Sequence, residues 1–157
     1  MKSTTTTILT FALAVILAAP AFAHEKNIEK GPNGGRVLKA VKPHLEFLVT
    51  KDRKVEITPL TADHKPAKLS GQVIAVTGGD RANPTKLEFK EEGGKLVSTN
   101  ALPAGGGFPV SVSIKTAAGS KPVYERFNIN LDTCPECKNP EYVCVCGHEE
   151  AAAQKRK

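Results

Sequence analysis

Four cysteines fall within thirteen residues, Cys134, Cys137, Cys144 and Cys146 in CPECKNPEYVCVC, and His148 stands two places further on. Thiolates and imidazoles are the ligands of soft and borderline metals, and a tetrahedral set of them suits Zn(II) or Cu(I). Cys134 and Cys137 have C-x2-C spacing with Pro135 directly after the first cysteine. That turn lets both sulfurs face one point while backbone N–H groups bond to them. Cys144 and Cys146 are two apart, so on an extended segment both point the same way. His148 continues that spacing and is an alternate ligand, which makes the set four cysteines, or three cysteines and one histidine. Only six residues separate the two pairs, fewer than in zinc ribbons, so the match to half a zinc knuckle is partial.

The same cysteines could form two disulfides if the chain is exported to an oxidising compartment. Four cysteines allow three pairings. The one that joins Cys134 to Cys137 also joins Cys144 to Cys146, whose side chains on an extended segment stand roughly 7 Å apart. A disulfide form therefore crosses between the pairs. A redox dithiol is the weakest of the three readings, because this C-x-x-C follows strands rather than opening a helix in a βαβ unit.

The start of the chain sets the compartment. Lys2, the apolar run ILTFALAVILAAP and Ala21-Phe22-Ala23 have the order of a secretory signal peptide, residues 1–23, with cleavage after Ala23. The expected location is periplasmic or secreted. No second apolar stretch is long enough to cross a bilayer. Taking Lys2 from 22 basic residues, against 16 acidic ones, leaves a mature formal charge of +5. The lysines are spread out, and there are no Trp, two Tyr and six Phe, so no basic stripe with interleaved aromatics marks a nucleic-acid surface.

The cysteines must be carried by something, and the preceding hundred residues read as strands. Leu45, Phe47 and Val49 alternate with Glu46 and Leu48; Val55 and Ile57, then Val110, Val112 and Ile114, repeat the pattern, and Val123, Phe127, Ile129 and Leu131 close it. Period-two alternation places one face on a core and the other in water. Segments such as GGDRANP, EEGG and AAGSKP supply turns between them. Seven or eight short strands at this spacing predict an all-β fold, an immunoglobulin-like or Greek-key antiparallel β-sandwich over residues 36–131. A polar leader and the GPNGG turn (24–35) precede it, the Cys-rich segment (132–148) follows, and a frayed or disordered tail (149–157) ends the chain. No internal repeat of useful length is visible.

Three further residues could reach a metal. His24, as a mature amino terminus, offers an α-amine and an imidazole suited to Cu(II). His44 and Glu46, in PHLEFLV, share one face of a strand and offer an imidazole and a carboxylate, or only a surface hydrogen bond. His64 lies in the loop TADHKP, where a solvated side chain is expected. No G-x-S-x-G elbow, H-E-x-x-H or phosphate-binding G-x-x-x-x-G-K occurs, so an enzyme is not expected.

GPNGGRVLKAVKPHLEFLV followed by KVEITPLTADHKPAKLSGQVIAV resembles a group of small exported bacterial β-domain proteins of unassigned function, which share the glycine turn and a strand opening H-x-E. The turn is also similar to a G-P-H-G-G turn near the start of some periplasmic adaptor subunits of heavy-metal efflux systems, with Asn33 here in place of the histidine. The resemblance implies a metal role for His44 and Glu46. Likeness to periplasmic copper carriers is one of fold only. Two functions are therefore expected to compete. One is a metal-binding protein holding Zn(II) or Cu(I) through Cys134, Cys137, Cys144, Cys146 or His148. The other is a structural or interaction module with two disulfides and an envelope protein as partner.

Overall fold

The structure, a computed structural model, describes residues 28–146. The expected signal peptide, His24, His148 and the tail 149–157 lie outside the described residues. Among the described residues, nine strands form two antiparallel sheets. The first contains β1 (Arg36–Leu38), β2 (His44–Val49), β3 (Val55–Leu60), β7 (Lys95–Ser98) and β6 (Phe89–Glu92), side by side in that order. The second contains β5 (Thr85–Leu87), β4 (Val73–Gly78), β8 (Phe108–Lys115) and β9 (Val123–Ile129). The chain is thus the all-β sandwich that the alternation predicts. The pairings β3 with β7 and β4 with β8 join strands far apart in sequence, because the chain changes sheet between them.

The core is made by the residues the period-two pattern points inward. Phe47, Val55, Ile57, Val76, Val110, Val112, Ile114 and Ile129 are all buried in one cluster. Phe47 of the first sheet and Phe127 of the second meet edge to face, with ring centres 5.2 Å apart. The Arg36 guanidinium lies 4.6 Å from the Phe127 ring centre, a cation–π contact under cover of the core.

The outer face of β2 departs from simple alternation. Glu46 is only 1% exposed, because the glycine turn folds over it. Its Oε1 accepts the N–H groups of Asn33 (2.9 Å) and Gly35 (2.8 Å), and its Oε2 accepts the Asn33 side-chain amide (2.8 Å). Ionised acceptors make the stronger hydrogen bonds, and three of them offset the cost of burying the charge. The glycines are required by closeness. A Cβ on Gly31 would overlap the Glu46 carboxyl group, and one on Gly35 would lie 2.5 Å from the Phe47 carbonyl oxygen. Residues 29–35 are therefore part of the sandwich rather than a detached leader, and the Glu29 carbonyl accepts the Val37 N–H at 2.8 Å.

Two turns repeat one design. In TKDRK, the Thr50 N–H bonds to the Lys54 carbonyl (2.8 Å), Thr50 Oγ1 accepts the Lys54 N–H (3.1 Å), and Arg53 has φ 57°. In TADHK, Thr61 and Lys65 make the same two bonds at 2.8 and 3.1 Å, and His64 has φ 57°. The threonine hydroxyl closes each loop, and the second copy fixes His64 beside the end of β3.

The buried carboxylate makes a direct prediction about stability. Glu46→Ala should lower the unfolding free energy by about 3 kcal/mol or more, since it strips three hydrogen bonds and a filled volume at once. Gly35→Ala should cost about 2 kcal/mol or more through the clash with β2. Urea unfolding followed by circular dichroism measures both, and wild-type stability in either variant would contradict the clamp.

Candidate metal centre

After β9 the chain does not trail away. The Tyr142 N–H bonds back to the Asn130 carbonyl (3.1 Å) and the Glu141 N–H to the Asp132 carbonyl (2.9 Å), so residues 130–142 close into a loop. A one-turn 3-10 helix, Glu141–Val143, pushes Tyr142 and Val143 into the sandwich core, where both are buried. The Tyr142 hydroxyl accepts the Val49 N–H at the end of β2 (2.9 Å). Burial, more than the neighbouring Glu46 charge, raises the Tyr142 pKa, so this hydroxyl stays neutral. The cysteine segment is anchored to the body at its own centre.

The first pair sits on a tight turn. The Cys134 N–H bonds to the Asn139 carbonyl (2.8 Å) and the Lys138 N–H to the Cys134 carbonyl (3.0 Å). Lys138 takes φ 58°, a conformation more often given to glycine. Its Nζ compensates by bonding to the Pro135 carbonyl at 2.7 Å. From the other side, Lys30 Nζ reaches the Asn139 side-chain oxygen at 2.7 Å. The residue just before the glycine turn therefore braces the knuckle.

All four sulfurs converge. Cys134, Cys137, Cys144 and Cys146 place their Sγ atoms within 4.8 Å of one another, with Cys144 at 3.5 Å from Cys134 and 3.8 Å from Cys137. Zn–S bonds of about 2.3 Å at tetrahedral angles give S···S edges of about 3.8 Å, and the two Cys144 edges lie close to that value. Cys134 and Cys144 are buried and the other two half-buried. The alternation across Cys144-Val145-Cys146 turns Val145 outward, where it is 58% exposed.

The electrostatics divide the four. The amide N–H of Cys137, helped by that of Glu136, stabilises a thiolate on Cys134 and brings its pKa down to about 6 against the effect of burial. The Asn139 N–H lowers Cys137 in the same way. Burial pushes Cys144 up to about 11. Cys146 is raised as well, first by its hydrogen bond to the Cys137 sulfur and then by burial. N–H groups aimed at the first pair do what a knuckle does for a metal-bound thiolate, which is to spread its negative charge.

The remaining candidates do not join this site. Both oxygens of Glu46 are engaged by the glycine turn. His44 Nδ1 lies 2.9 Å from the Val41 carbonyl oxygen, and because both Glu46 oxygens are taken, the strand spacing that puts His44 beside Glu46 does not make the two a ligand pair. His24 and His148 lie outside the described residues. Among the described residues, the four cysteines are the one group of three or more His, Cys, Asp or Glu side chains close enough to share a metal ion. Sequence reasoning missed Lys30, Asn139 and Tyr142. Tyr142 had a signal, a large aromatic between two cysteine pairs; Lys30 and Asn139 are linked only by the fold. No helix among the described residues is long and apolar enough to cross a membrane.

Comparison with protein-family models, with curated proteins and with solved structures finds no match to this chain. The four-sulfur arrangement therefore defines the site by its own geometry: four cysteine side chains that could hold a metal ion.

The pKa pattern predicts how loading depends on pH. Below their raised pKa values Cys144 and Cys146 carry protons, which a metal must displace. Zinc binding to the reduced protein near neutral pH should release at least two protons, those of Cys144 and Cys146. Affinity should fall by roughly a hundredfold for each pH unit lost. Calorimetry in buffers of different protonation enthalpy measures the number, and release of none would contradict the assignment.

Proposed function

We propose that this chain is an exported, non-catalytic metal-binding protein that holds one Zn(II) or Cu(I) ion through Cys134, Cys137, Cys144 and Cys146, with a role in metal homeostasis. The observation that carries the reading is the spacing of the sulfurs, 3.5 and 3.8 Å from Cys144 to Cys134 and Cys137, close to what four thiolates adopt around one ion. The signal-like start of the chain supports export, and the resemblance of residues 31–76 to exported β-domains is in keeping with it. The site is small, half-covered and braced by the sandwich.

Export places thiols in competition between metal and oxidant. The rival outcome is a crossed disulfide pair, and the 3.5 Å contact of Cys144 with Cys134 names the bond that would form first. The lowered pKa of Cys134 favours both fates, because the thiolate is both the metal ligand and the nucleophile.

Substitution separates them. Cys146→Ser, at a half-buried position, leaves Tyr142 and the core anchor untouched. Alone or combined with Cys144→Ser, it should abolish stoichiometric Zn or Cu in protein purified without chelator, measured by elemental analysis against protein concentration. Full metal retention in the double variant would contradict the proposal.

A further inference from the structure

A second set of metal-ligating side chains lies away from the cysteines. His44 opens β2 opposite Leu60, the last residue of β3. The TADHK turn begins at the next residue, so the hairpin register carries His64 back beside His44. Their ring centres are 6.3 Å apart and the planes meet at 82°. Glu29 approaches from a third element, held alongside β1 by the bond from the Val37 N–H to its carbonyl.

We propose that His44 and His64 form a second, solvent-accessible site for a borderline divalent cation such as Zn(II), with Glu29 as its positioning residue. Each ring already has its Nδ1 on an acceptor: His44 on the Val41 carbonyl oxygen at 2.9 Å, and His64 on Glu29 Oε1 at 2.8 Å. An acceptor at Nδ1 selects the tautomer with the proton there and the lone pair on Nε2, the arrangement in which metal-ligating histidines are held by a carbonyl or carboxylate behind them. Neither Nε2 has a hydrogen-bond partner among the described residues.

Distance and charge agree with this. With metal–nitrogen bonds of about 2.0–2.1 Å, an ion stands about 3 Å from each ring centre, so two rings can share it when their centres are about 5–6 Å apart. The observed 6.3 Å lies just outside that range, and the His64 side chain is 40% exposed. Glu29 contributes negative charge beside both imidazoles, and its carboxyl pKa is lowered, chiefly by its hydrogen bond to Lys39. Lys39 Nζ sits on the other carboxylate oxygen, Oε2, at 2.5 Å, which leaves Oε1 to orient His64. With two imidazoles and water, the site is an exchangeable one, unlike a closed four-sulfur cage. It does not depend on what the cysteines hold.

The test reads the imidazoles directly in the full mature chain. Long-range proton–nitrogen spectra are recorded as Zn(II) is added, with a parallel thiol count to report whether the cysteines take metal. The Nε2 resonances of His44 and His64 should shift together, in the second equivalent if the cysteines take the first and in the first equivalent if they are oxidised. His64→Gly suits the backbone, which has φ 57° there, and should abolish the His44 response while the sandwich amide spectrum is kept. Glu29→Gln should weaken the paired response by about tenfold. A His44 shift that persists unchanged in His64→Gly, or imidazoles that stay put through a tenfold excess of Zn(II), would overturn the proposal. Either result leaves the assignment of the cysteines as it was.

Discussion

A single buried carboxylate organises one side of this molecule. Glu46 projects from β2 on the face that simple alternation gives to water, and it is covered because Asn33 and Gly35 donate three hydrogen bonds to it. A charge in that position is tolerable only while all three donors are present. The turn in consequence has one place to lie. Residues 29 and 30, just before it, are carried to fixed positions, Glu29 behind His64 and Lys30 against Asn139 in the cysteine turn. One electrostatic constraint thus reaches both the cysteine turn and the His44–His64 pair.

The cysteine loop is held from two directions for the same reason. Its short helix drives Tyr142 and Val143 into the core, and its first turn is braced by Lys30. Hydrophobic burial of Tyr142 and Val143 and the backbone bonds of the loop set where the sulfurs lie. The N–H groups over Cys134 and Cys137 add a local field that favours thiolates in the first pair. The second pair, on an extended segment, has fewer such donors, and its thiols are pushed above their ordinary range.

The sandwich was legible because apolar side chains at every second position are a direct record of one-sided burial, and Val110, Val112 and Ile114 in β8 show it without interruption. The cysteine cluster was legible from spacing, C-x2-C and C-x-C. What spacing could not supply was the closing of the loop by a tyrosine, or the bracing by Lys30, which lies 109 residues from Asn139. Glu46 misled for a physical reason. Its place in the alternation is that of a surface residue, and only the glycine turn, whose donors lie 11 and 13 residues before it, makes it a buried one. The segment from Thr85 to Glu92 also hides its structure, since the chain changes sheet at Glu88, whose N–H goes to the Asn100 side chain at 2.9 Å. Local sequence gives His64 the place of a solvated loop residue. It is half-exposed, but the register of β2 against β3 sets it edge to face with His44, a relation between strands that no local pattern carries.

Native mass spectrometry of the mature protein, exported and purified without chelator and alkylated before and after reduction, weighs the metal and the thiols in one experiment. One Zn or Cu per chain, with the four cysteines alkylated only after the metal is removed, is the predicted result. A metal-free mass lighter by the four hydrogens of two disulfides would contradict it.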